Sequence, residues 1–586
     1  MSVLPFIVTH GANDPAMATL KRSSVLTAIP ALTTAVFLIP VILGLIGTWL
    51  PAFGYFPAIG LDQLSMTPWE EWFNHPSYKS ALLKTLFSGI GASVLSLVIT
   101  FVLLIGAYPS VMFQRLERLL SPILSVPHAA FAIGLGFLLS PSGWLIRWIE
   151  YMTGWFPVPP NWTTFQDPMG VSLIITLALK ETPFLLFMSL AVLPSLNVQK
   201  TRWLANSMGR STRFAWYWLL IPQLYQQIKL PFFAVVAFSL TVVDIALIAG
   251  PTTPPTLAVL ITQLFNDPDL TNRTVGAAGA TWLLILVSIA LLIIHLLEPP
   301  LRRLRQWAIH CRPQTRLTLN WEAPVARALT LLMALAFAGS AAVTFIWSLT
   351  LRWRYPDVLP SQFSTLPWSR ILNRIDEPFW CTVWLALLSA LIALFLVILA
   401  LENEVRLRWS QKKLNTQRIA WLIYLPLLIP QVAFLFGFQV FLIQTGWDGQ
   451  FTALLWSHLV FVLPYVFLTL SGPYRNFDDR YFWLALTLKQ QRGPAYWHIK
   501  FPILMRPILY AFATGFAVSI AQYLPTIFIG AGKYSTITTE AVAMAAGSDR
   551  RLMAVMAVWQ QSLPLLIFAL ATLLPALRFR ERQSMR

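Results

Sequence analysis

Long apolar runs separated by short polar stretches dominate this chain of 586 residues. Runs of about 18 or more apolar residues are long enough for a helix to cross the hydrocarbon core of a bilayer. Twelve spans are predicted, at about 25–50, 81–107, 119–139, 171–193, 231–250, 275–297, 328–350, 379–401, 419–443, 451–471, 507–530 and 552–577. The pattern excludes a membrane barrel, whose strands alternate apolar and polar positions over ~10 residues. The fold class is therefore an all-α polytopic membrane protein. The spans divide six and six, giving a first repeat at 1–297, a linker at 298–327 and a second repeat at 328–586. Lys21 and Arg22 sit directly before the first span, and no small-residue cleavage site follows a short apolar core. That segment reads as a retained anchor.

One polar, basic stretch occurs twice between long apolar runs. The first copy begins Trp203-Leu204-Ala205-Asn206-Ser207-Met208-Gly209 and ends Leu219-Leu220-Ile221-Pro222. The second begins Trp483-Leu484-Ala485-Leu486-Thr487-Leu488-Lys489 and ends Ile499-Lys500-Phe501-Pro502. The two align without a gap from Trp203 on Trp483 to Pro222 on Pro502. Both carry Ala and two aromatics in the middle: Ala215-Trp216-Tyr217 and Ala495-Tyr496-Trp497. Leu204, Ala205 and Met208, like Leu484, Ala485 and Leu488, lie at helical spacing, which predicts a short helix with a small apolar face. Gly209 permits a left-handed turn after it. A fainter echo pairs Ala130-Phe131-Ala132-Ile133-Gly134 with Ala433-Phe434-Leu435-Phe436-Gly437, each shortly after a proline, Pro127 and Pro430.

Charge sets the orientation. Hydrophobic residues make up 57% of the chain and charged residues 11%, yet the net charge is +18. Thirty of the 42 Lys and Arg fall in segments on one side of the twelve-span scheme, and the positive-inside tendency makes that side the cytoplasm. Both copies of the repeated stretch, and both termini, are then cytoplasmic. Anionic lipid headgroups, not nucleic acid, are the partner this charge implies. Six crossings per half make the halves parallel repeats about an axis along the membrane normal.

Ala, three residues, Gly, nine residues, then apolar-x-apolar-Pro resembles the EAA loop of permease subunits of binding-protein-dependent ABC importers. Two copies in one chain resemble the fused permeases of the ferric-iron and thiamine type. Trp203 and Trp483 stand at that motif's acidic position, Leu204 and Leu484 at its second position, usually alanine, and Lys489 at its glycine. The resemblance implies the type I importer permease architecture in a bacterial inner membrane. It implies two copies of an ABC ATPase docked on the two loops, through Trp203, Leu204, Ala205, Met208, Gly209 and Pro222 and through Trp483, Leu484, Ala485, Leu488, Lys489 and Pro502. It implies an extracytoplasmic solute-binding protein, received by outside loops such as Trp69-Glu70-Glu71-Trp72. ATP is then used by the partner subunit, and the chain itself is a non-catalytic transport subunit that binds no cofactor.

The chemistry in the chain fits that role. There is no phosphate-binding loop of the G-x-x-x-x-G-K-[ST] kind, no catalytic histidine cluster and no metal-ligand spacing around Cys311 or Cys381. Ionisable groups inside spans are few, and each costs about 2.5–3.5 kcal/mol on insertion scales, so they seldom face lipid. Lys180, Glu181, Asp244 and, in the matching part of the second half, Gln522 are candidates for a translocation path. Tying helices together by hydrogen bonds is the competing role. His128, beside Pro127, reads as helix packing or path lining. A gradient-driven carrier with parallel six-helix halves is the alternative function, and it needs coupling groups of this kind. The run Ile537–Val542 with Glu540, and its counterpart Pro255–Val259, predict short outside helices before the last span of each half.

Overall fold

The computed structural model describes residues 24–311, 321–372, 374–409, 416–489, 492–545, 547 and 549–578. The helices of the first half that recur in the second are α1 (Ser24–Ala52), α2 (Tyr78–Ala107), α3 (Val111–Ser125), α4 (His128–Leu139), α5 (Val171–Val192), α6 (Val198–Ser207), α7 (Ile221–Thr241), α8 (Asp244–Ala249), α9 (Leu257–Phe265) and α10 (Asn272–Cys311). The second half repeats the series as α11 (Glu322–Ser348), α12 (Asp376–Trp409), α13 (Thr416–Leu428), α14 (Gln431–Gln444), α15 (Phe451–Arg475), α16 (Asp479–Lys489), α17 (Phe501–Ala521), α18 (Leu524–Ile529), α19 (Ile537–Ala545) and α20 (Arg550–Arg578). The register that sets Trp203 on Trp483 also sets the starts of α7, α8 and α9 on those of α17, α18 and α19: Ile221 on Phe501, Asp244 on Leu524 and Leu257 on Ile537. The only sheet among the described residues is a small hairpin, Thr350–Arg352 with Gln362–Phe363.

Among the described residues, ten helical stretches are long and apolar enough to cross a membrane, and α13 with α14 makes an eleventh if that pair, bent by 95°, is one span. Four of the predicted spans are broken. Spans three and nine split at Val126-Pro127 and Ile429-Pro430. Proline lacks the amide hydrogen the helix needs and pushes the residue before it toward extended backbone. Spans five and eleven split at Val242-Val243 and Gln522-Tyr523, where Val242 and Gln522 adopt extended conformations. α7 also begins well before the apolar run, carrying Gln223, Gln226, Gln227 and Lys229 in its first turns.

The first helix of each half packs mainly on the other half and touches its own half chiefly through that half's last helix. α1 lies along α14, and α11 lies along α4 and α2. Small residues make these crossings possible, since lipid offers no hydrophobic drive and close backbone approach must supply the contact. A Cβ on Gly437 would fall 2.0 Å from the Gly44 carbonyl oxygen and 2.4 Å from the Thr48 nitrogen. The Gly437 amide donates to Thr48 Oγ1 at 3.1 Å. At the matching crossing, a Cβ on Gly134 would fall 2.7 Å from the Ser340 oxygen. The Ala-Phe-x-x-Gly echo is thus the footprint of an exchanged helix.

Candidate functional site: the paired loops and the cavity between the halves

The first repeated loop is built from α6. Trp203 and Leu204 are exposed, at 72% and 60%, whereas Ala205 is 2% exposed. Gly209 takes φ +71° with open space where a Cβ would stand, and the Arg210 amide returns to the Ala205 carbonyl at 2.9 Å. That is a left-handed helix cap, which glycine adopts without strain. Ser211 then caps a turn at Thr212–Phe214, a π-helical segment at Ala215–Leu220 follows, and Pro222 lies in the first turn of α7. In the second loop, Trp483 and Leu484 are exposed on α16 and Ala485 is buried. A π-helical segment, Tyr496–Lys500, leads into α17 with Pro502 in its first turn. The side chains of Leu488 and Lys489 lie outside the described residues.

The two alanines therefore do not face outward with the large residues. Ala485 packs with Phe482 and Ala495 inside its own loop. The apolar surface offered outward is Trp203, Leu204 and Met208 on one loop and Trp483 and Leu484 on the other.

Each loop is tied down by groups that sequence spacing does not reveal. In the first, Glu322 accepts from the Arg213 guanidinium and, at 3.1 Å, from the Tyr217 hydroxyl. Burial, and then the Glu322 charge, push the Tyr217 hydroxyl up to about 12. In the second, Glu402 accepts from Lys500 and from Tyr474. Glu404 takes Arg475 through two bonds, at 2.8 and 2.9 Å. The Trp409 indole donates to Asp479 at 2.9 Å and packs on Trp483 at 4.8 Å between centroids.

Between the halves lies a cavity of about 820 Å³ whose lining includes Lys180, Glu181, Asp244 and Gln522 together. Toward the loops it reaches Ala191, Pro473 and Arg506, and at the other end it stops at the two non-proline helix breaks, where Asp244 and Gln522 stand. Beyond the breaks, Ile245, Ala249, Leu257, Ile529 and Ile537 on α8, α9, α18 and α19 are fully buried. The cavity thus extends toward the loops and is sealed on the far side.

Lys180 is spent on structure as well as lining. Its ammonium donates to the carbonyls of Ile123, at 3.0 Å, and Val126. These carbonyls belong to the end of α3 where the Pro127 break leaves them without helical partners. Glu181 points elsewhere: its Oε1 stands 3.4 Å from His128 Nε2 and makes no hydrogen bond among the described residues. The second-half wall is largely aromatic, with Phe461, Tyr465, Tyr510 and Tyr523, and carries Arg506 at the end toward the loops.

No protein-family model matches the chain. The inner membrane ABC transporter permease protein YnjC of Escherichia coli (strain K12) is 33% identical to it over 523 residues, covering 89% of this chain and 93% of that protein. The chain belongs to the ABC transporter permease family. It is a multi-pass inner-membrane permease, a transport subunit. In each half of the permease a polar loop leads into a broken helix that lines the cavity. The tethers at Glu322 and Glu402 left no local signal, because each joins segments about 70 to 110 residues apart.

Proposed function

We propose that this permease is the fused membrane subunit of an ABC importer. Residues 1–297 and 328–586 form two parallel repeats joined by a cytoplasmic linker at 298–327, whose two ends belong to α10 and α11. Two copies of an ATPase subunit grip the cytoplasmic faces of α6 and α16, and they bind and hydrolyse the ATP. A binding protein outside the membrane delivers a small solute to the sealed end, and the cavity carries it onward. The observation that carries this reading is the pairing of two loops with the cavity. The two helices, α6 and α16, occupy matching places in the halves, and each presents exposed Trp and Leu over a buried Ala. The cavity extends from between the helices that adjoin them. A few apolar anchors on a short helix suit docking in a groove.

Burying one Leu in a partner groove is worth about 1.5–3 kcal/mol, and an aspartate in its place adds a desolvation penalty. Leu204→Asp combined with Leu484→Asp should abolish co-purification of the partner ATPase while leaving the melting temperature of the permease unchanged. If the ATPase remains bound to the double variant, the docking assignment fails. The ionisable cluster of His128, Glu181 and Asp244 favours a second reading, a gradient-driven carrier. Proteoliposomes holding this chain alone should accumulate no solute under a proton or sodium gradient, and uptake there would favour the carrier.

A further inference from the structure

The two docking loops are equivalent in sequence position but are not held in equivalent ways. Glu322 is the first residue of α11, the exchanged helix of the second half, and is 4% exposed. Both of its partners, Arg213 and Tyr217, belong to the first loop. The backbone there is pressed onto the end of α2: a Cβ on Gly106 would fall 2.2 Å from the Glu322 carbonyl oxygen and 2.7 Å from Ala326 Cβ. α2 contains no Asp or Glu of its own, so the first half supplies no carboxylate from that helix.

The second loop is anchored from within its own half. Glu402 on α12 takes Lys500, which is 1% exposed, together with Tyr474. The anchors do not follow the repeat. In the register that sets Trp203 on Trp483, Arg213 corresponds to Gly493, Tyr217 to Trp497, and Lys500 to Leu220. Gly493 has no side chain to pair, Trp497 is exposed, and Leu220 is fully buried and apolar. Each loop has therefore acquired its own carboxylate, one from across the halves and one from alongside.

We propose that Glu322 is a positioning residue that couples the first docking loop to α11, the exchanged helix that touches both halves, whereas Glu402 keeps the second loop on its own half. Force applied at α6 then reaches α11 directly, and α11 also packs on α20. Force applied at α16 enters α12. Two identical motor subunits would drive the halves through two different linkages. This function of the tether rests on reading the loops as ATPase docking points, but the tether itself does not.

The test uses spin labels on the full chain in nanodiscs, with Cys311 and Cys381 replaced by Ser. One label is placed through Leu204→Cys and another, in a separate protein, through Leu484→Cys. Glu322→Gln should raise the mobile component of the spectrum several-fold at 204 and leave 484 unchanged. Glu402→Gln should do the reverse. Exchanging the charges, Arg213→Glu with Glu322→Arg, should restore order at 204. General loss of folding would release both labels, so release at both sites by Glu322→Gln, or at neither, overturns the proposal. Adding the partner ATPase separates the two claims. If the labels respond to the tether variants as stated but neither responds to the ATPase, the docking reading fails and the tether stands.

Discussion

Replacing Gly437 by Ala is the sharpest perturbation of the exchanged-helix architecture. Cβ atoms in folded proteins essentially never approach another heavy atom closer than 3.0 Å, and the one added at 437 would lie 2.0 Å from the Gly44 carbonyl oxygen. α1 and α14 must then part by about 1 Å, and the obstructing atoms are backbone, which no rotamer change can move. At Gly134 the shortfall is about 0.3 Å against the Ser340 oxygen, and the next neighbour is the Thr344 side chain. Overpacking costs ~1–3 kcal/mol, so position 437 belongs at the top of that range and position 134 at the bottom. Alanine returns roughly 0.5–1 kcal/mol by favouring the helix over glycine. The net expectation is a loss of about 2 kcal/mol for Gly437→Ala and near neutrality for Gly134→Ala. Thermal unfolding in nanodiscs, followed by tryptophan fluorescence, measures both. Equal stability of Gly437→Ala and the parent, or a larger loss at 134 than at 437, would refute the packing argument.

Further expectations concern the loops, the outer surface and the cavity. Ala205→Leu, placed against the body of its own loop, should lower stability by ~1–3 kcal/mol, unlike Leu204→Asp, which should spare stability and cost ATPase binding. Burial alone would raise the Asp167 carboxyl, but bonds from the Ser172 hydroxyl and from the Ser172 and Val171 amides outweigh it and hold it below the usual carboxylate range. A depressed carboxyl contributes stability above its unfolded value of ~3.9 and loses it as pH falls through its folded value. Melting temperature should therefore drop below about pH 4, and Asp167→Asn should flatten that drop. Asp244→Asn and Glu181→Gln should each slow solute uptake by the assembled transporter without weakening ATPase association. Unchanged uptake in both would return these groups to a purely structural role.

Most of the membrane architecture was legible in the apolar runs, because a span needs only length and composition. Pro127 and Pro430 also advertised the breaks in spans three and nine, although the runs there read as continuous. The breaks at Val242-Val243 and Gln522-Tyr523 were not legible, since neither pair of residues forces an extended backbone. The exchange of α1 and α11 was hidden for a different reason. In lipid, helix partners are chosen by matched small residues such as Gly44 and Gly437, and a glycine in one sequence does not name the helix that will cross it.

Among the site residues, helical spacing placed Leu204, Ala205 and Met208 in one short element, but burial separates Ala205 from the other two. The apolar face expected on that helix is therefore split, with its small residue turned inward. Lys180, Glu181, Asp244 and Gln522 were chosen one by one for polarity inside spans, and the fold brings all four to one cavity. What spacing could not supply was the direction of each: Lys180 reaches back to the carbonyls at the end of α3, while Glu181 faces His128. Glu322 and Glu402 escaped notice because their partners are distant in sequence.

The most direct test of the central claim is thiol labelling at the two loop helices. Leu204→Cys and Leu484→Cys, in a chain lacking Cys311 and Cys381, are treated with a membrane-impermeant maleimide. Both should label in inverted inner-membrane vesicles and not in intact spheroplasts, and bound partner ATPase should protect both. Labelling of either position from the outside of spheroplasts, or full labelling of both in the presence of saturating ATPase, would contradict the account.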